Sequence, residues 1–216
     1  MKGSIVNSYR LIFAFLMMVS LSACALTGGP IDGMVLEDET DKPIAGAIVV
    51  VRWRGDLPGF ADSSTVCYHV ESTLTDEAGR YRIAKWKKKP DPERDWERRI
   101  VNKVFGVSAY KVGYGFTNKR FREKQEIVYM GSFEGTAEER LKYLLRISGA
   151  TRCTSAGESA INRLPFQKAI YEEANAIART REEKRTVEIL LFGLESQKYG
   201  SMEALERLTE RRKSGR

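Results

Sequence analysis

The chain has 216 residues, enough for one or two domains. Hydrophobic residues make up 42% and charged residues 30%, which excludes a mostly disordered chain. No stretch approaches the ~20 apolar residues of a spanning helix, which excludes a polytopic membrane protein. Lys plus Arg outnumber Asp plus Glu by 36 to 29, for a net charge of +7.

Residues 1–23 read as an address rather than as fold. Lys2 and Arg10 are the only charges there, and Leu11 to Val19 is an apolar stretch too short to span a membrane. It ends in Leu21-Ser22-Ala23-Cys24. This resembles the bacterial lipobox, in which small residues admit a signal peptidase and a cysteine thiol receives diacylglycerol. The resemblance implies cleavage before Cys24, acylation of Cys24 and attachment to a bilayer. Several acyl chains suffice for stable anchoring. Ala25 stands where an Asp would favour the inner membrane, so the expected place is the outer membrane, facing the periplasm. Loss of Lys2 and Arg10 lowers the charge from +7 to +5.

Residues 24–29 are small and predict a flexible tether. Ile31 to Leu36 reads as a strand, Glu37 to Lys42 as a turn, and Ala47 to Trp53 as a β-branched strand. A long connection is expected from Arg54 to about His69. Ser72 to Thr75 is a short strand and Asp76 to Gly79 a turn. Arg80 to Trp86 alternates, with Tyr81 and Ile83 on one face. Lys87 to Arg99 reads as a charged loop. Val104 to Tyr110 and Ile127 to Met130 complete the strands. Short strands joined by turns suggest an antiparallel sandwich.

The second half is helical. Thr136 and Glu139 match a capping box before Leu141, Leu144 and Leu145, with Gly149 as the stop. Pro165 suits a first helical turn, followed by Phe166, Ile170, Ala174 and Ile177 at helical spacing. Val187, Leu190, Leu191 and Leu194 repeat the pattern, and Gly200 breaks it. Ser201 opens a last helix with Met202, Leu205 and Leu208. These stripes are expected to pack on the sheet or on each other.

Three segments resemble carboxypeptidase regulatory-like domains. They are Ile31-Asp32-Gly33-Met34-Val35 with Lys42-Pro43-Ile44-Ala45-Gly46, then Thr75-Asp76-Glu77-Ala78-Gly79-Arg80-Tyr81, then Ala109-Tyr110-Lys111-Val112-Gly113-Tyr114. The resemblance covers about residues 30–130. It implies a transthyretin-like (prealbumin-like) sandwich of about seven strands. The expected fold class is α+β: a sandwich over 30–133, then a helical extension over 134–216. The resemblance makes Gly33, Pro43, Gly46, Thr75, Asp76, Gly79, Tyr81, Lys111, Gly113 and Tyr114 fold residues rather than active ones. The related peptidases carry their zinc ligands in a separate domain. Segments 54–71 and 87–103 read as insertions, where partner-specific surface could lie.

With Cys24 acylated, Cys67 and Cys153 are expected to pair in an oxidising compartment. His69 and Glu71 lie near Cys67, but a metal site needs more ligands and a nucleophile needs a free thiolate. No catalytic residue, metal ligand or cofactor is assigned. Lys87-Lys88-Lys89, Arg98-Arg99, Lys119-Arg120 and Arg211-Arg212-Lys213 alternate with acids, so a solvated surface is expected and no nucleic-acid partner. The expectation is a non-enzymatic periplasmic lipoprotein, a binding or scaffolding module whose partner is an envelope protein or a cell-wall glycan. Two alternatives are a carbohydrate- or peptidoglycan-binding module, in which Trp53, Trp86 or Trp96 could stack on sugars, and a hydrolase with an unrecognised site.

Overall fold

The computed structural model describes residues 25–60, 62–89, 93–121, 125–153 and 161–214. Cys24 and the signal segment lie outside them. Among the described residues the strands are β1 (Leu26–Gly28), β2 (Ile31–Glu37), β3 (Ile48–Pro58), β4 (Ser63–Leu74), β5 (Arg80–Ile83), β6 (Trp86–Lys88), β7 (Val101–Tyr110), β8 (Thr117–Phe121) and β9 (Gln125–Met130). A 3-10 turn spans Asp95–Arg99. The helices are α1 (Ala137–Ser148), α2 (Leu164–Ile177), α3 (Arg181–Tyr199) and α4 (Ser201–Lys213).

The central strand explains the architecture. β3 begins Ile-Val-Val-Val, apolar on both faces, as a strand covered on both sides must be. Val49, Val51 and Trp53 point to one side, where they meet Ile31, Val35, Tyr81, Ile83, Val128 and Met130. Val50 points to the other, where Tyr110 and Val70 meet Leu144, Phe166, Ile170 and Leu190. The result is a small sheet in the order β5-β2-β9, a larger one in the order β4-β3-β7-β8, and a helical layer behind the larger sheet. A two-stranded ribbon, β1 with β6, pairs with neither sheet, while Leu26 and Trp86 pack against the core between them.

The α+β class stands. A single antiparallel sandwich of about seven strands does not, for the strands form three sheets and β2 pairs with β9 in parallel. The expected connection from Arg54 to His69 is instead a long hairpin. Arg54 to Pro58 continue β3 and pair with Ser63 to Cys67 of β4. Nor is the described part of the expected tether, 25–29, free: Leu26 is buried, and Leu26–Gly28 pair with β6. The expected strand from Arg80 to Trp86 is broken after Ile83, because its second part turns away to that ribbon. Within β5 the alternation is as expected, with Tyr81 and Ile83 buried and Arg80 and Arg82 exposed.

The helices follow their local signals. Thr136 accepts the Glu139 N–H at 3.2 Å, and the Glu139 carboxylate accepts the Thr136 N–H at 2.7 Å. Thr180 and Glu183 form a second box of the same kind at the start of α3. Pro165 sits in the first turn of α2, where its missing N–H costs nothing. The last stripe is corrected in part: Met202 is 74% and Leu205 55% exposed, Leu208 is half-buried, and Ala204 is fully buried.

The expected Cys67–Cys153 disulfide is present. It joins β4, an edge strand of the larger sheet, to the segment between α1 and α2.

Candidate functional site

A groove opens where β3 slips register. The shift lies between Trp53 and Arg54 against β4, and between Arg54 and Asp56 against β7. Such bulges bend a strand and re-aim its side chains. Gly55 sits at the slip because a Cβ there would meet the Val101 carbonyl oxygen at 2.7 Å and collide with Ile100. The groove encloses about 890 Å³ between Thr27, Trp53, Asp56, Tyr68, Lys103 and Phe105, with Arg54, Thr65, Asn102 and Val104 completing its wall.

Asp56 organises the rim. One carboxylate oxygen accepts the Thr65 hydroxyl at 3.0 Å, and the other accepts the Asn102 amide at 3.2 Å. Asn102 reaches it from a left-handed backbone position, φ 48°. Burial pushes the Tyr68 hydroxyl up to about 12, so it stays a neutral hydrogen-bonding group near pH 7. Cations, a carboxylate, an amide and an aromatic floor therefore converge on one cleft. This suits recognition of a hydroxyl-rich ligand, chiefly through hydrogen bonds, since Trp53 and Tyr68 are buried and Phe105 is the ring left partly open.

Of the three tryptophans named as sugar platforms, only Trp53 reaches this groove, and it is 4% exposed. Trp86 stacks on His69 at 3.8 Å and meets Trp53 edge-on at 5.2 Å. Trp96 packs against the inter-sheet core. His69 is buried beside Glu71, Nε2 to Oε1 2.9 Å, while the neighbouring Cys67 sulfur is held in the disulfide. Among the described residues no three His, Cys, Asp or Glu side chains are grouped to hold a metal. No described helix is long and apolar enough to cross a membrane.

The motif residues gather elsewhere, mostly at the turns that join the sheets. Thr75 is buried; its hydroxyl donates to the Ile44 carbonyl at 2.7 Å and accepts the Ala47 N–H at 2.8 Å. The Gly46 N–H donates to the Thr75 carbonyl, and Lys111 donates to the Ala45 carbonyl at 2.9 Å. Asp76 accepts the N–H groups of Ala78 and Arg80. Tyr114 donates to Glu37, Gly113 holds a positive φ, and Leu36 bridges to Pro43. Gly33 lies in β2 opposite Tyr81.

Gly79 has φ +69°, and a Cβ there would lie 2.7 Å from the Val35 carbonyl oxygen. Gly79→Ala is expected to cost about 1–3 kcal/mol, from backbone strain and a steric clash together. Urea unfolding checks this, and a variant as stable as the parent would show that the turn adapts.

One polar cluster has no local signal in the sequence. Arg140 of α1 donates to Glu173 of α2 through Nε at 2.8 Å and Nη2 at 3.0 Å, and through Nη1 to the Tyr114 carbonyl at 2.8 Å. Tyr110 of β7 donates its hydroxyl to the same carboxylate. Burial, and then the Glu173 carboxylate, hold that phenol well above its usual range. The cluster joins the larger sheet to two helices.

No protein-family model and no curated protein matches the chain. Among solved structures, 3-chlorocatechol 1,2-dioxygenase from Rhodococcus opacus 1CP aligns over 52% of this chain and 61% of its own, at 13% identity and a TM-score of 0.31. A shaft pilin, SpaA from Lactobacillus rhamnosus GG, aligns over 50% of this chain and 51% of its own, at 10% identity and a TM-score of 0.28. A 9R-lipoxygenase from Cyanothece PCC8801 aligns over 68% and 24%, at 16% identity and a TM-score of 0.24. The chain thus spans about three-fifths or less of the length of each. Because two of these neighbours are enzymes, the expectation of a non-enzymatic protein is withdrawn; at these scores the likeness gives the chain no activity either. What the neighbours share with this chain is a weak likeness to sheet-rich domains.

Proposed function

We propose that the chain is a binding module of the bacterial cell envelope, held at the outer membrane by acylated Cys24 and facing the periplasm. Its sheets are read as a carboxypeptidase regulatory-like domain. The observation that carries the binding role is the groove at the β3 bulge, where Asp56 positions Thr65 and Asn102 beside an aromatic floor. A rigid support of this kind suits ligand recognition, since the rim groups are already held in place. The disulfide is in keeping with an oxidising compartment.

The test uses a photocrosslinking residue at Asn102 or Lys103, on the exposed groove rim, in the full chain in living cells. One discrete envelope component should be captured there and not from exposed Glu77, in the Asp76–Gly79 turn. Equal capture from both positions removes the groove as the ligand site. Cys24→Ser should abolish acyl labelling and membrane retention; unchanged retention would mean a different anchor.

A second reading names the ligand as a cell-wall glycan. The half-buried Phe105 ring and the Tyr68 hydroxyl, beside a carboxylate and an amide, favour it. Titration with soluble peptidoglycan fragments should then give saturable heat that Asp56→Ala removes.

A further inference from the structure

The chain enters its fold at once after residue 24. Leu26 is 3% exposed and already paired with Lys88, and Thr27 is paired with Lys87. Consecutive Cα atoms lie about 3.8 Å apart, so the Cys24 Cα sits within roughly 8 Å of a fixed, buried residue. No slack separates a lipid on Cys24 from the β1–β6 ribbon. The strands are antiparallel, so the chain leaves Leu26 toward Cys24 in the direction in which β6 leads on to Lys89.

That ribbon is rich in lysine. Lys85, Lys87 and Lys89 are exposed, and among the described residues none forms an ion pair with a carboxylate. Lys88, between them, differs: it turns inward to buried Glu97 at 3.0 Å. Strand alternation therefore sorts the run, with Lys88 spent on a structural pair and Lys87 left on the exposed face beside Thr27, where the ribbon borders the groove.

We propose that this lysine face is a second membrane contact, which lays the β1–β6 ribbon on anionic phospholipid head groups next to the lipid anchor. It rests on the acylation of Cys24 proposed above. A lipid surface is chosen over other polyanions because these three cations lie in or beside the strand that pairs with the chain immediately after the anchoring position. An ammonium close to an anionic bilayer gains about fivefold in partitioning, so three give about a hundredfold. The gain fades as salt shortens the screening length. The contact sets orientation, with the ribbon against the bilayer.

The experiment uses the acylated full chain purified from cells. It is bound to vesicles of equal parts phosphatidylglycerol and phosphatidylcholine, or of phosphatidylcholine alone. Amine acetylation is followed residue by residue by mass spectrometry. In the anionic vesicles, Lys85, Lys87 and Lys89 should react at least about fivefold more slowly than exposed Lys184 and Lys213. The difference should vanish on phosphatidylcholine alone and at about 1 M salt. Equal rates at all five lysines, with the protein still floating with the vesicles, overturn the lysine face and leave the anchor standing. Failure to float on either vesicle, with no acyl mass on Cys24, overturns the anchor and this proposal with it. Slowing produced by peptidoglycan fragments and not by vesicles assigns the face to the cell wall and also overturns it.

Discussion

Glu173→Gln is expected to destabilise the protein by about 3–5 kcal/mol, as breaking one side of a buried ion pair does. The carboxylate and the Arg140 side chain are each 6% exposed. Two parallel N–H···O bonds hold them, at 2.8 and 3.0 Å, the fork geometry in which Arg pairs best. Glutamine keeps the shape but removes the charge, and its amide nitrogen must face a donor. Arg140 then remains a buried cation with no counter-charge in the pair, held by one amide oxygen, the Tyr114 carbonyl and the rings of Phe133 and Tyr143. Those rings lie 4.6 and 5.3 Å from the guanidinium carbon, so cation–π attraction offsets part of the loss and no more. The double variant Arg140→Met/Glu173→Leu should recover most of it, because neither charge is then left unpaired. Tyr110→Phe should cost less, about 1.5–3 kcal/mol, since one charge-assisted hydrogen bond is lost. Urea unfolding of the four proteins decides the matter. A Gln variant within about 1 kcal/mol of the parent would show that water reaches the cluster.

The sequence makes parts of this molecule legible for identifiable reasons. Thr136 with Glu139 and Asp76 with Gly79 are local devices, so their geometry follows from neighbours in the chain. Ala47 to Trp53 is apolar at every position up to Val51, which marks a strand covered on both faces. The hairpin beyond it is hidden by its own composition. Arg54, Gly55, Asp56, Pro58 and Gly59 have the makeup of a turn, yet most of them extend β3, because pairing with β4 outweighs local preference. The groove inherits that obscurity, for it exists only because two registers shift at Arg54. Arg140 is harder still. It stands beside the apolar stripe of α1, and its partner is 33 residues away on another helix. The Thr180–Glu183 box, in contrast, was readable by the rule that found Thr136–Glu139.

Removing the disulfide is expected to have an effect of similar size, reached by another route. Cys67 and Cys153 are 86 residues apart. In the loop-entropy account, a crosslink of that span restricts the unfolded chain by about 4–5 kcal/mol. Cys67→Ala/Cys153→Ala should therefore lower the stability by about that amount, while the core between the sheets, which lacks both cysteines, stays intact. The folded side of the equilibrium also matters. β4 is an edge strand, and among the described residues the segment that reaches α2 is fastened to it by the disulfide, the Ser72 hydroxyl on the Asn162 carbonyl at 2.5 Å, and the Asn162 amide on the Val70 carbonyl at 3.0 Å. With the crosslink gone, the described hold at Asn162 is two hydrogen bonds, at about 1 kcal/mol each. Local opening of the β4 edge should then become easier than global unfolding, and a bared edge invites pairing between molecules. Hydrogen exchange should show faster exchange in β4 and around Asn162, with little change at Val49 and Val51 in β3. A reducing agent should bring the parent to the same unfolding midpoint as the double variant. If the reduced parent keeps its full stability, the crosslink is incidental and the helical layer is held by the Arg140–Glu173–Tyr110 cluster and its apolar contacts alone.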